Sequence, residues 1–279
     1  MKPEEVADGV FTVATDDHRA MFVTSSERVI ALNSFGTDDD ARGYLEAIGS
    51  AAHGRPIEAV ITTIDHLDHS GKTAVLAAGA DVVAHELCAR LIEHRGGPDQ
   101  APAASTVTGA GADRRLADVD VQLLYPGPSQ GTGNLAVFLP SQRVLFLAGP
   151  RADARYGVFA DFHLRHVTRT WRELAEIEAD VVVPARGPLM RRDQLRRAAD
   201  YVDALKRAVQ EAFAEGVPIW VIQAMEPFVA ERLRGEFGDL DGFDRHVGIA
   251  SIRAVHYYLM GGWGMEDTAE PDALYGSAA

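Results

Sequence analysis

Residues 57–61 read Ile-Glu-Ala-Val-Ile, a short apolar run with β propensity. They lead directly into Thr62-Thr63-Ile64-Asp65-His66-Leu67-Asp68-His69-Ser70-Gly71. This junction constrains the chain more than any other feature. The apolar run predicts a buried strand, and the following stretch a polar loop that puts two imidazoles and two carboxylates at the strand's C-terminal end. Loops held by a rigid sheet are where binding and catalytic groups concentrate.

The surrounding pattern supplies the sheet. Strands are expected at residues 10–14, 20–24 and 29–33, then a helix over 38–52 with Tyr44, Leu45 and Ile48 on one face. After residues 57–61 come a helix at 72–78, a strand at 81–84 and a helix at 86–94. Residues 96–113, rich in Gly, Pro, Ala and Ser, read as a long loop. Strands return at 119–125, 135–139 and 143–147, followed by a helix at 169–178 and a strand at 181–184. From residue 193 the pattern is helical, at 193–215, 219–230 and 249–260. Two sets of strands, each followed by helices, predict an α/β fold: an αββα four-layer sandwich with a C-terminal helical extension. The expected division is a sandwich domain over residues 1–190, a helical extension packed on it over 191–265, and a flexible tail over 266–279.

Composition narrows the partners. With 47% hydrophobic and 24% charged residues, the 279-residue chain has the make-up of a globular protein able to bury a large core. A formal charge of −14 repels phosphates, so neither nucleic acid nor an anionic membrane is an expected partner. No run approaches the roughly 20 apolar residues of a membrane span, and the acidic start MKPEEVADGV does not resemble a signal peptide. Cys88, the only cysteine, allows no intrachain disulfide and reads as a buried, inert thiol. A cytoplasmic location is expected. The Arg-rich stretch 191–197 reads as the solvated face of a helix.

The loop after residues 57–61 resembles the signature T-H-x-H-x-D-H-x-G of the metallo-β-lactamase superfamily. Thr63, His66, Asp68, His69 and Gly71 match it, and Ile64 replaces the first histidine. Further landmarks follow in the family's order. Gln130 stands where Tyr125-Pro126-Gly127-Pro128-Ser129 leads to a histidine ligand. Pro150 replaces the metal-bridging aspartate after Gly149, and Arg186 replaces the last histidine in Pro184-Ala185-Arg186-Gly187. The helical tail is faintly similar to alkylsulfatase-like and quinoprotein-associated branches. The resemblance implies the sandwich fold and, in ordinary members, a pair of zinc ions. Here isoleucine and proline have no ligating side-chain atom and a guanidinium has no lone pair to offer, whereas zinc needs about three to four N, O or S ligands. No metal and no other cofactor is therefore expected, with a single metal on a rebuilt ligand set as the alternative.

His66, Asp68 and His69 are the expected catalytic residues. Histidines titrating near neutrality suit general acid–base work, and a carboxylate can orient one of them. Arg186 in the old metal pocket is expected to bind an anionic group, and Gln130 a substrate carbonyl. His163 and His166, spaced i, i+3, and His18, at the turn between the first two strands, complete the expected substrate-binding set. His163 and His166 with His66 or His69 are the candidates for a rebuilt metal site. His53 reads as a helix-end residue, His85 and His94 as members of an outer helix, His246 as a loop residue, and His256 and the three tryptophans as packing. The expected function is a metal-independent enzyme acting on a small molecule by hydrolysis, elimination or cyclisation and isomerisation, with Arg186 allowing for an anionic substrate. The alternatives are a mononuclear-metal hydrolase and a non-catalytic partner subunit, with a homodimer through the C-terminal helices as the expected assembly.

Overall fold

A computed structural model of the chain describes residues 1–155, 163–164, 166–218, 221–249 and 251. The expected helix at 249–260, His256, Trp220, Trp263, the 266–279 tail and the start of the expected 219–230 helix lie outside the described residues, almost wholly in the first of these cases.

In chain order the elements are β1 (Glu4–Ala7), β2 (Val10–Ala14), β3 (Arg19–Thr24), β4 (Val29–Leu32), α1 (Asp38–Ala51), β5 (Ile57–Thr62), α2 (Leu67–Ser70), α3 (Thr73–Leu76), β6 (Asp81–His85) and α4 (Glu86–Arg95). They continue with β7 (Ser105–Val107), β8 (Gly111–Leu116), β9 (Val119–Leu124), β10 (Ala136–Leu139), β11 (Val144–Leu147), α5 (Val167–Ala175), β12 (Val181–Pro184), α6 (Arg192–Ala214) and α7 (Ile222–Phe237). The first seven strands form one sheet in sequence order, and a second sheet runs β12-β11-β10-β9-β8.

The layers follow from which faces are apolar. Met21, Ile30, Leu32 and Ile61 from the first sheet meet Leu123, Val137, Val144 and Phe146 from the second, so the two sheets bury each other. On the far side of the first sheet, α1 lays Ala41, Tyr44 and Ile48 against Phe22, Ala31 and Val60. Thr37 caps this helix by accepting from the Asp40 N–H, and Asp38, Asp39 and Asp40 complement the positive end of its dipole. On the far side of the second sheet, Trp171 of α5 joins Tyr201 and Val202 of α6 and Phe237 of α7 over Phe138, Leu145 and Val182. This is the expected αββα sandwich, and α6 and α7 share its outer core.

β7 and the first half of β8 sit where a loop was expected, in residues 96–113. β7 adds to β6 in parallel, and β8 pairs with β9 through a tight hairpin. Ala117 and Asp118 both have positive φ (46° and 61°), the geometry for which Asn-Gly is the usual sequence signal. Without that signal the hairpin was invisible. β1 was not expected either: its two glutamates are tolerated because it is an exposed edge strand, which carries no apolar signal. His85 ends β6 and caps α4, its Nδ1 accepting from the Leu87 N–H, and so does not belong to the body of an outer helix. His246 lies in a helical run, residues 243–249, not in a loop.

Candidate functional site

The β5 loop is held from several sides. Asn33 Oδ1 accepts from both the backbone N–H and the hydroxyl of Thr63, at 3.0 Å each. Ile64 turns into the core between the sheets and is fully buried, so the first histidine position of the family now serves packing. Asp65 takes two hydrogen bonds from Arg95 at 2.7 and 3.0 Å. Gln100 donates to the Asp65 carbonyl and to Ser70 Oγ, which itself donates to the Ile64 carbonyl. The backbone N–H groups of Ser34 and Phe35 hold the His69 carbonyl. So anchored, the single turn α2 presents Asp68 and His69 to the opening between the sheets.

Two other segments arrive there. The β2–β3 turn carries Asp17 and His18, and the chain leaving β12 carries Arg186. A backbone bridge between His18 and Arg186, with the Arg19 N–H donating to the Ala185 carbonyl at 2.8 Å, sets these segments side by side. His18 Nε2 lies 3.0 Å from Asp68 Oδ2. Arg186 donates from Nη2 to the same Asp68 oxygen, from Nη1 to Asp17 Oδ2 at 2.5 Å, and from Nε to His69 Nε2 at 3.3 Å. The His18 and His69 rings meet edge to face, 5.2 Å apart.

Behind this cluster lies an ion pair that sequence reasoning missed. Arg151 sits directly after Pro150, is 7% exposed, and grips Asp153 (5% exposed) through two 2.8 Å hydrogen bonds. Its remaining Nη1 donates to Asp17 Oδ1 at 3.0 Å, so the Asp17 carboxylate bridges two guanidinium groups. The sequence signal, Pro150-Arg151-Ala152-Asp153, was read only for the lost aspartate. A cleft of about 270 Å³ opens beside the cluster, lined by His18, Arg19, Arg151, Asp153, Arg155 and Pro188 among others.

The electrostatics follow from burial and neighbours. Burial works to raise the Asp68 carboxyl, yet the His18 hydrogen bond and the adjacent Arg186 charge hold it well below the usual carboxylate range. Burial pushes His69 down to about 3, helped by Arg186 and opposed by Asp68, so the imidazole is neutral at physiological pH. A neutral His69 whose Nε2 accepts from Arg186 carries its proton on Nδ1. Despite burial, Asp17 and Asp153 are also held low, chiefly by Arg151.

Of the other expected residues, His66 lies close enough to His69 to act on its charge. His163 is buried, with Nε2 3.1 Å from Thr132 Oγ1, and its backbone N–H donates to the Ser129 carbonyl. His166 is the N-cap residue of α5, its ring centre 6.5 Å from that of His163. Gln130 is buried, and its Oε1 has no hydrogen-bond partner among the described residues. His66 Nε2 lies against Gly131, 3.7 Å from where a Cβ would sit. Among the described residues, the cluster with ligand atoms close enough to share a cation is His18, Asp68 and His69, within 4.8 Å of one another. Arg186 already stands on Asp68 and His69, however, and a dication beside a guanidinium would meet repulsion and lose two of its donors. As they stand, the side chains do not fit the zinc pair that the fold implies.

Comparison with known proteins places the chain. It is 39% identical over 268 residues to the 2,4-dinitroanisole O-demethylase subunit beta of Nocardioides sp. (strain JS1661), covering 95% of this chain and 84% of that one. It belongs to that family of O-demethylase subunits. The subunit alpha of the same enzyme is also a relative, 31% identical over 274 residues, with 96% and 82% covered. Both alignments therefore take in the C-terminal helices of this family member. No family model matches the chain. Solved structures show the fold. DIM-1 metallo-β-lactamase superposes with a TM-score of 0.62 at 18% identity, covering 72% of this chain and 96% of that one. VMB-1 gives 0.63 at 17%, covering 73% and 96%. The metallo-β-lactamase from Pontibacter korlensis gives 0.63 at 19%, covering 72% and 98%. The family member thus has the metallo-β-lactamase fold. Among its described residues no helix is long and apolar enough to cross a membrane.

Proposed function

We propose that this chain is a subunit of a metal-independent hydrolase that cleaves an activated aryl methyl ether, with His18 as general base and Asp68 orienting it. The observation that carries the reading is the 3.0 Å contact between His18 Nε2 and Asp68 Oδ2 at the wall of the cleft. With Nε2–H donated to the carboxylate, Nδ1 is the basic nitrogen left for a proton. His18 is 25% exposed, within reach of water and substrate, whereas His69 is buried.

The relatives' reaction defines what such a base would do. Loss of the methyl from the oxygen of 2,4-dinitroanisole needs only water if the ring is attacked. His18 removes a proton from water as the hydroxyl oxygen bonds to the ring carbon bearing the methoxy group. The nitro groups carry the electron pair, which returns as the ring carbon–oxygen bond to methoxide breaks. Methoxide takes the proton from His18, leaving a phenol and methanol. Such a step uses a positioned base and no oxidant. The cleft has the size for one substituted ring, and the half-exposed Arg155 on its wall suits the developing negative charge. Because it resembles both a subunit alpha and a subunit beta, the chain is proposed to act with a second chain of the same family.

The test is the tagged chain isolated from its own cells with whatever accompanies it, supplied with nitroaryl methyl ethers in H₂¹⁸O and chelator. Phenol and methanol are expected in equal amounts, with the label in the phenol, and a homologous chain co-purifying. His18→Ala should lower kcat by about 10²–10⁴ while the circular dichroism stays that of the folded parent. An unchanged kcat in that variant refutes the assignment of the base, and label in the methanol refutes attack on the ring.

A further inference from the structure

The Arg186 guanidinium occupies the centre of a ligand set made for a cation. Two carboxylates, Asp17 and Asp68, and one imidazole, His69, turn acceptor atoms towards it, and His18 completes the ring through Asp68. The cation comes from the protein itself. We infer that Arg186 is a built-in substitute for a metal ion, and that it alone stands between this site and binding of a divalent transition metal.

The remaining groups are those that zinc or cobalt takes. The His18, Asp68 and His69 atoms lie within 4.8 Å of one another. Around a tetrahedral zinc with bonds of about 2.0 Å, ligand atoms stand roughly 3.3 Å apart, so small side-chain rotations close the difference. Removing Arg186 takes away the counter-charge that Asp68 and Asp17 share and releases the His69 Nε2 lone pair, which now accepts from Arg186 Nε at 3.3 Å. Ligands from two separate segments, the β2–β3 turn and α2, are already held in register by the backbone bridge between His18 and residue 186 and by the anchored β5 loop. Arg151 strengthens the arrangement, since it fixes Asp17 from behind through Asp153 and lies on the far oxygen of Asp17. The ligand set therefore persists when the guanidinium is cut away.

This inference is independent of the reaction proposed above, because metal uptake is read without substrate. Parent protein, Arg186→Ala and Arg186→Ala/Asp68→Asn are stripped with chelator, checked for folding by circular dichroism, and dialysed against zinc or cobalt(II). The parent should retain less than about a tenth of an equivalent and Arg186→Ala about one, with the visible bands of tetrahedral cobalt, while the double variant should lose them. Arg186→His, which refills the space with a ligand, replaces Arg186→Ala if the latter does not fold. Stoichiometric uptake by the parent overturns the inference, as does a folded Arg186→Ala or Arg186→His that takes up none.

Discussion

Replacing Arg151 with methionine breaks the buried ion pair that supports the site, together with the contact from Arg151 Nη1 to Asp17, which keeps Arg186. Methionine keeps most of the volume and removes the charge. It leaves the Asp153 carboxylate, 5% exposed, without the two 2.8 Å hydrogen bonds that now satisfy it. Breaking a buried pair from one side costs about 3–5 kcal/mol, because the surviving charge stays desolvated. Asp153 keeps the Arg155 backbone N–H at 3.0 Å and its half-exposed guanidinium at 3.5 Å, which places the expected loss at the lower end, about 3 kcal/mol. In a chain of this size that is a melting-temperature drop of roughly 6–12 °C. Asp153→Asn in the same background removes the stranded charge, so the double variant should regain about 1–2 kcal/mol over Arg151→Met. Urea unfolding of the parent, both single variants and the double gives the cycle. A single variant within about 1 kcal/mol of the parent, or strictly additive effects, would refute the claim that the buried pair organises this end of the sandwich.

Acid sensitivity offers a second check. His69 is held at about 3 in the folded chain against an ordinary value of 6.5, so between those values the unfolded chain binds a proton that the folded chain does not. Stability should therefore fall as pH drops from 6.5 towards 3, by at most about 1.4 kcal/mol per pH unit from this group. Asp17, Asp68 and Asp153, all depressed, stabilise above the ordinary carboxylate range and add their own loss only below about pH 4. Urea midpoints at pH 7, 6 and 5 should decline less steeply in His69→Gln, and coincident profiles would rule this origin out. Gly36→Ala should lower kcat with little loss of fold, because its Cβ would come within 2.9 Å of the Asp68 Cα and the Leu67 carbonyl and push the site turn outward; unaltered kcat would show that the turn yields freely.

The strands of the sandwich were legible wherever burial makes a strand apolar. β2, β5, β6 and β10–β12 were readable within a residue or two, since each is buried on both faces or alternates cleanly. β1, β7 and β8 were not, because edge strands and a hairpin closed by Ala117-Asp118 carry no apolar or Asn-Gly signal. The site divides in the same manner. His66, Asp68, His69, Gln130 and Arg186 stood out through their resemblance to a known motif, but that motif could not say which of them touch.

The sequence alone determined the chemistry left available: imidazoles, carboxylates and a guanidinium at strand ends, with isoleucine and proline where ligands would stand. Only the tertiary structure decided the grouping. His18 and Asp17, fifty residues and more from Asp68 and nearly 170 from Arg186, join them because a β-turn and the end of β12 are bridged through their backbones. The reason is physical: sequence spacing carries side-chain direction within one element, whereas contacts between elements depend on sheet register and packing, which no local pattern encodes. Arg186 therefore reads in the sequence as a lost ligand, and in the fold as the cation around which the others are arranged.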